Sequence, residues 1–210
     1  MLPGTNRWNR GQKQPRTRTL RRLLILCEDT KSSCLYLRQF PFDPNQVQIE
    51  CVGTGMSTDS LMEEAIRRKE KAENAKAPYE QIWVVFDKDD FPMQNFNRAF
   101  DLARAHPTIL ACWSNECFEL WYLLHFCYRD TGASRTDIWK LISRYLSDRY
   151  DKASVKVFEQ LKPKLDDALR NAARLAYQNG TGPDRHRNPS TNVHELIKVL
   201  RNHDPAKQMP

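Results

Sequence analysis

No apolar run in this 210-residue chain approaches the roughly 20 residues needed to span a bilayer, and no apolar stretch follows the amino-terminal Arg and Lys residues until Leu23. The chain is therefore expected to be soluble, unsecreted and cytoplasmic. Six cysteines are present, at 27, 34, 51, 112, 117 and 127, yet no two are spaced Cys-x-x-Cys. That removes the sequence grounds for a zinc finger or a disulfide framework. Free thiols inside apolar runs behave as small hydrophobes and suit a reducing compartment. The stretch Gly53-Thr54-Gly55 lacks the third glycine of a dinucleotide-binding fingerprint and follows the second predicted strand rather than the first. It reads as a tight turn.

Acidic residues are missing altogether from residues 1–22, which hold seven Arg or Lys. Residues 23–128 hold ten basic and sixteen acidic groups, and residues 129–210 hold sixteen basic and ten acidic. An acidic middle between basic ends suits a metal-dependent site acting on a polyanion. Basic flanks such as Arg21 and Arg22 would hold the backbone and carboxylates the metal; solvated tails would give the same composition.

What the chain does have is a set of apolar runs ending in acid. Gln81-Ile82-Trp83-Val84-Val85-Phe86 is rich in β-branched and aromatic residues, the pattern of a strand buried on both faces, and it runs into Asp87-Lys88-Asp89-Asp90. Leu23-Leu24-Ile25-Leu26-Cys27 is a second such run and ends in Glu28-Asp29. In an open α/β sheet the carboxyl ends of the strands face the functional crevice. Residues two apart in an extended segment project to one side, so Asp87 and Asp89 can share a divalent ion while Asp90 points elsewhere. Hard oxygen ligands in this number favour Mg2+ or Mn2+.

Alternating strand and helix signals continue through Val47–Val52, a helix after Ser57 or Thr58, a helix opened by Phe91-Pro92, and Thr108–Trp113. Four strands alternating with helices predict a doubly wound, mostly parallel four-stranded sheet with helices on its faces. Residues 135–203 carry three helix-like stretches, around 136–149, 154–178 and 190–202, with Pro163 kinking or starting the second, and no evident strand. The expected division is a basic, disordered tail over 1–21, an α/β domain over 22–128 and a helical appendage over 129–210 that packs on it.

Several side chains are candidates for chemistry. Ser114 and Asn115 are natural N-caps for a following helix, which puts Glu119 near its first turn, either as a further acid of the site or as a partner of the helix dipole. Lys31 and Lys88 each sit beside carboxylates. Either can offset repulsion or stabilise charge building on a phosphoryl group, with Lys31 the favoured one. His125 on an aromatic helix reads as a hydrogen-bonded core histidine rather than a catalyst. The polar loop Arg185-His186-Arg187 and the helix start at Asn188–His194 are expected to fold back over the carboxyl edge and meet substrate phosphate.

With these residues assembled, the chain resembles the RloB family of prokaryotic Toprim-like proteins over about residues 22–200. The resemblance rests on Val85-Phe86-Asp87-Lys88-Asp89-Asp90-Phe91, on Ser114-Asn115-x-Cys117-Phe118-Glu119-Leu120-Trp121 with Leu124-His125-Phe126, and on Asn188-Pro189-Ser190-Thr191-Asn192-Val193-His194. It implies a Toprim-like fold with Glu28, Asp87 and Asp89 around magnesium. It also implies phosphodiester chemistry on DNA or RNA, tRNA included, in antiphage defence beside a companion ATPase of the AAA or ABC-like type. Relatives usually read Cys-Glu-Gly-Glu-x-Thr-Glu after the first strand, where this chain reads Cys27-Glu28-Asp29-Thr30-Lys31-Ser32-Ser33. The lost glutamates leave a second expectation open, a nucleic-acid-binding or regulatory subunit with a weak site.

Overall fold

The computed structural model describes residues 20–88, 93–146, 149–180 and 187–207. Residues 1–19 of the expected tail over 1–21, and Asp89, Asp90, Arg185 and His186, lie outside them. Strands β1 (Arg21–Cys27), β2 (Val47–Gly53), β3 (Gln81–Asp87) and β4 (Ile109–Asn115) form a parallel sheet in the order β2-β1-β3-β4. The helices that connect them are α1 (Ser32–Leu37), α2 (Thr58–Asn74) and α3 (Met93–Ala105).

Burial follows the strand period of two. Leu24, Leu26, Ile82, Val84, Phe86 and Trp113 point to one face, where Leu61, Met62 and Ala65 of α2 and Phe96 and Ala99 of α3 cover them. Ile25, Cys27, Trp83, Val85 and Cys112 point to the other face. That face is covered by α1 and by the carboxyl-terminal half of the chain: α4 (Glu119–Leu124), α5 (Arg135–Tyr145), α6 (Val157–Leu161), α7 (Leu165–Asn179) and α8 (Val193–Asn202). Both faces are dry, which is why β1 and β3 read as continuous apolar runs rather than alternating ones.

The sheet has five strands rather than four. β5 (Ser190–Thr191) pairs antiparallel with the end of β4, Thr191 opposite Ser114 and Ser190 opposite Asn115. A two-residue strand leaves no periodicity, so the stretch after residue 135 reads as wholly helical when only pattern is available. Side chains hold this edge. The Ser114 and Thr191 hydroxyls lie 3.0 Å apart, while Asn192 accepts the Trp113 N–H at 2.7 Å and donates to the Ala111 carbonyl at 2.8 Å.

One further local expectation changes. Ser114 and Asn115 do not cap α4 but close β4, and Phe118 is the residue at the helix start. The helical stretch over 154–178 breaks where Pro163 is expected to kink or start it, at a 3-10 turn over Lys162–Lys164, because the proline ring cannot supply the N–H that a continuous helix needs.

His125 is a core residue, as its aromatic setting suggests. Its Nδ1 lies 2.9 Å from the Trp121 carbonyl, which only accepts, so Nδ1 carries the proton and Nε2 faces the Tyr36 hydroxyl at 3.4 Å. Burial holds its pKa down to about 4, below the ordinary value of 6.5. The unfolded chain therefore binds the proton first, and the stability from the neutral ring is complete above about pH 6.5 and is lost as pH falls towards 4. The expected result is a melting temperature that drops across this window by more in the wild type than in His125→Gln, measured as thermal unfolding against pH.

Candidate active site

The strand order β2-β1-β3 makes the carboxyl end between β1 and β3 the point where the chain's direction of winding reverses, and a crevice opens there in open α/β sheets. Glu28 follows β1 and Asp87 ends β3. The Glu28 backbone N–H donates to the Val85 carbonyl at 2.9 Å, while Glu28 Oε2 accepts the Asp87 N–H at 3.3 Å and Oε1 the Thr58 hydroxyl at 3.4 Å. Sheet pairing and side chain thus fix these two acids against each other.

The neighbouring acid has another duty. Asp29 accepts the Lys31 N–H at 2.6 Å, the Ser33 N–H at 3.2 Å and the Ser32 and Ser33 hydroxyls at 3.2 and 2.6 Å. It, rather than a serine hydroxyl, satisfies the open amides that start α1. This turn packs directly on Gly53, where an added Cβ would lie 2.7 Å from Thr30 Cα and 2.8 Å from the Asp29 carbonyl oxygen. Two residues on, Gly55 takes a φ of +68° and donates its N–H to the Glu28 carbonyl at 2.8 Å, so the predicted tight turn buttresses the acidic strand end. Gly53→Ala must displace backbone and is expected to cost roughly 1–3 kcal/mol, read as a fall of several degrees in melting temperature.

A cavity of about 320 Å3 lies over this edge, lined by Glu28, Asp29, Ser33, Ser57, Asp87, Arg135 and Lys152 among others. Arg135, the first residue of α5, brings Nη2 to 3.6 Å from Asp87 Oδ2; Lys152 comes from the connection between α5 and α6. The cations facing the acids therefore come from the helical half of the chain. No local sequence signal marks either, since only the packing of that half on the sheet brings them in. A larger groove of about 840 Å3 runs beside β4, α7 and α8, but it is mostly apolar and holds neither Glu28 nor Asp87, which line the smaller cavity; Glu119 lines neither.

Glu119 is buried in the first turn of α4 and accepts the Tyr150 hydroxyl at 2.8 Å. Burial, then the Glu119 charge, pushes the Tyr150 phenol up, which keeps it a donor. Burial and then the charges of Glu119 and Asp87 push the Cys117 thiol up as well, so this uncharged side chain stands within the field of both carboxylates. Tyr150 and Cys117 are neighbours that sequence reasoning did not select.

The remaining candidates fall in different places. Lys31 is exposed in the turn beside Asp29, and the Lys88 N–H is tied to the Ser114 carbonyl at 2.8 Å. Arg21 and Arg22 begin β1, at the sheet edge opposite the acids; Arg21 pairs with Glu80 at 2.5 Å and Arg22 stacks on Tyr79 at 4.4 Å and donates to the Ala77 carbonyl. Arg187 is exposed beside the end of β4, its carbonyl accepting Asn115 Nδ2 at 2.8 Å. Asn188 donates to Glu116 at 3.1 Å and to the Ala133 carbonyl at 3.2 Å, so the segment leading into β5 runs along the carboxyl edge.

A family model described as RloB-like protein matches the chain over residues 23–200, which take in all of these side chains except Arg21 and Arg22. The chain belongs to the RloB-like family. No curated protein matches it. Among the described residues, no helix is long and apolar enough to cross a membrane. Glu28, Asp87, Glu119 and the Asn188–His194 segment all fall inside the RloB-like match.

Proposed function

We propose that this RloB-like chain is a Toprim-type, divalent-metal-dependent nuclease that cleaves nucleic-acid phosphodiester bonds, with RNA, tRNA included, or DNA as substrate and antiphage defence beside an ATPase partner as its setting. The observation that carries the reading is the placement of Glu28 and Asp87 at the winding reversal of the sheet, joined by a 3.3 Å hydrogen bond from the Asp87 backbone N–H to the Glu28 carboxylate, in a cavity whose cationic walls are Arg135 and Lys152. The donor set fits magnesium or manganese, because the available ligands are carboxylate oxygens and such ions use few protein carboxylates alongside water and substrate phosphate. Glu28 and Asp87 would hold the ion, with Asp89 beside them in sequence. When bound, it supplies Lewis-acid polarisation of a phosphoryl oxygen.

The chain's own residues do the rest. Arg135 and Lys152 bind and orient the phosphate, with the guanidinium able to give two parallel hydrogen bonds. Lys31 and Lys88, close in sequence to Glu28 and Asp87, offset charge that grows on the phosphoryl group. Glu119 holds Tyr150 in place behind them. Arg187 extends the positive path along the carboxyl edge, while Arg185 and His186, which precede it in sequence, and the basic tail with Arg21 and Arg22 add sequence-independent attraction.

Purified protein should nick nucleic acid with Mg2+ or Mn2+ and not in chelator, and Asp87→Ala should abolish the cut. Equal cleavage by wild type and Asp87→Ala would assign the activity to a contaminant. A second reading, a binding subunit with a weak site, draws on the engagement of Asp29 and Glu119 in internal hydrogen bonds. Tight nucleic-acid binding in chelator without metal uptake would favour it.

A further inference from the structure

Outside the acidic cavity, the structure brings together three thiols that the sequence keeps apart. Cys27 ends β1, Cys34 lies in α1 and Cys51 lies in β2. The Cys27 and Cys34 sulfurs are each 4.0 Å from that of Cys51, and all three lie within 4.8 Å of one another. Among the described residues this is the group of His, Cys, Asp and Glu side chains whose ligand atoms converge closely enough for one ion.

We propose that Cys27, Cys34 and Cys51 form a three-thiolate site for a soft d10 metal ion of the zinc, cadmium and cuprous class. Metal–sulfur bonds of about 2.3 Å place the sulfurs of a trigonal set about 4.0 Å apart, and those of a tetrahedral set slightly closer. The present spacing therefore accepts the ion with little movement. Soft thiolates select this class over magnesium, which keeps the site chemically separate from the carboxylates next door. The ligands come from three different elements, so no short Cys spacing announces them.

The surroundings suit ligation. Cys27 and Cys34 are buried, whereas Cys51 is half-buried and leaves an approach for an ion and for a water as a fourth ligand. Arg38 Nε donates to the Cys51 carbonyl at 2.9 Å, which fixes a cation beside the sulfurs and offsets their charge. The three thiols share hydrogen bonds: those from Cys27 and Cys51 hold Cys34 down, with the Arg38 charge adding to this, while burial pushes Cys27 up and Cys51 is raised too. On ligation the remaining thiol protons pass to water and no electron moves. The bound ion would tie β1, α1 and β2 together immediately before Glu28, and the site stands whether or not that acid serves phosphodiester cleavage.

Cadmium titrated into the fully reduced chain should raise the ultraviolet thiolate-to-metal charge-transfer band and saturate at one equivalent. Cys51→Ser should weaken cadmium binding by on the order of tenfold or more, while Cys127→Ser leaves it unchanged. In the wild type, bound cadmium should protect Cys51 from alkylation, read by mass mapping, and leave Cys127 as reactive as before. Because that arm needs no variant, it holds even if Cys51→Ser fails to fold. Absence of the band, an unchanged band in folded Cys51→Ser, or equal alkylation of Cys51 with and without cadmium would show that the three thiols are core packing, and would overturn the site.

Discussion

Glu28→Gln is expected to lower metal-dependent cleavage by on the order of a hundredfold or more while leaving the melting temperature nearly unchanged. The amide keeps a carbonyl oxygen able to accept the Asp87 N–H or the Thr58 hydroxyl, so the local geometry held at 3.3 and 3.4 Å survives. What disappears is the negative charge. Metal polarisation of a phosphoryl oxygen is worth several kcal/mol, and each 1.36 kcal/mol is about tenfold in rate. Removing one of two anions from a shared site also relieves their repulsion, so stability has no reason to fall. Single-turnover cleavage beside thermal melting separates these effects, and a variant as active as wild type would remove Glu28 from the site.

Arg135→Ala should act on the substrate rather than on the metal. Its guanidinium faces Asp87 at 3.6 Å, with the two side chains 31% and 16% exposed, so as an internal ion pair it contributes little stability. Its worth lies in a charged hydrogen bond to phosphate, about 1.5–3 kcal/mol, which corresponds to a loss of roughly tenfold to a hundredfold in cleavage. Metal affinity should be unchanged or slightly higher, because a competing cation has gone. Parallel cleavage and Mn2+-binding measurements test this. Lost metal affinity with intact cleavage would contradict the assignment.

The parallel core was legible because its chemistry is local. Apolar runs such as Leu23–Cys27 and Ile82–Phe86 announce strands dry on both faces, and the acids that follow them announce the functional edge. The pairing of Glu28 with Asp87 needed only the placement of β1 beside β3. What sequence could not show depends on long-range packing. Arg135 and Lys152 enter from the helical half, and β5 is two residues held by Ser114, Thr191 and Asn192 rather than by pattern. Asp29 reads as a candidate acid but serves the start of α1, a choice made by the turn that packs on Gly53.

The most direct test of the account is Mn2+ binding followed by electron paramagnetic resonance, in which the signal of the free ion falls as the protein takes it up. Wild type with nucleic acid should bind one Mn2+ that Mg2+ displaces, and Asp87→Asn, folded to the same melting temperature, should bind at least an order of magnitude more weakly. Equal Mn2+ uptake by wild type and Asp87→Asn, or none by either, would contradict a metal site at the meeting of β1 and β3.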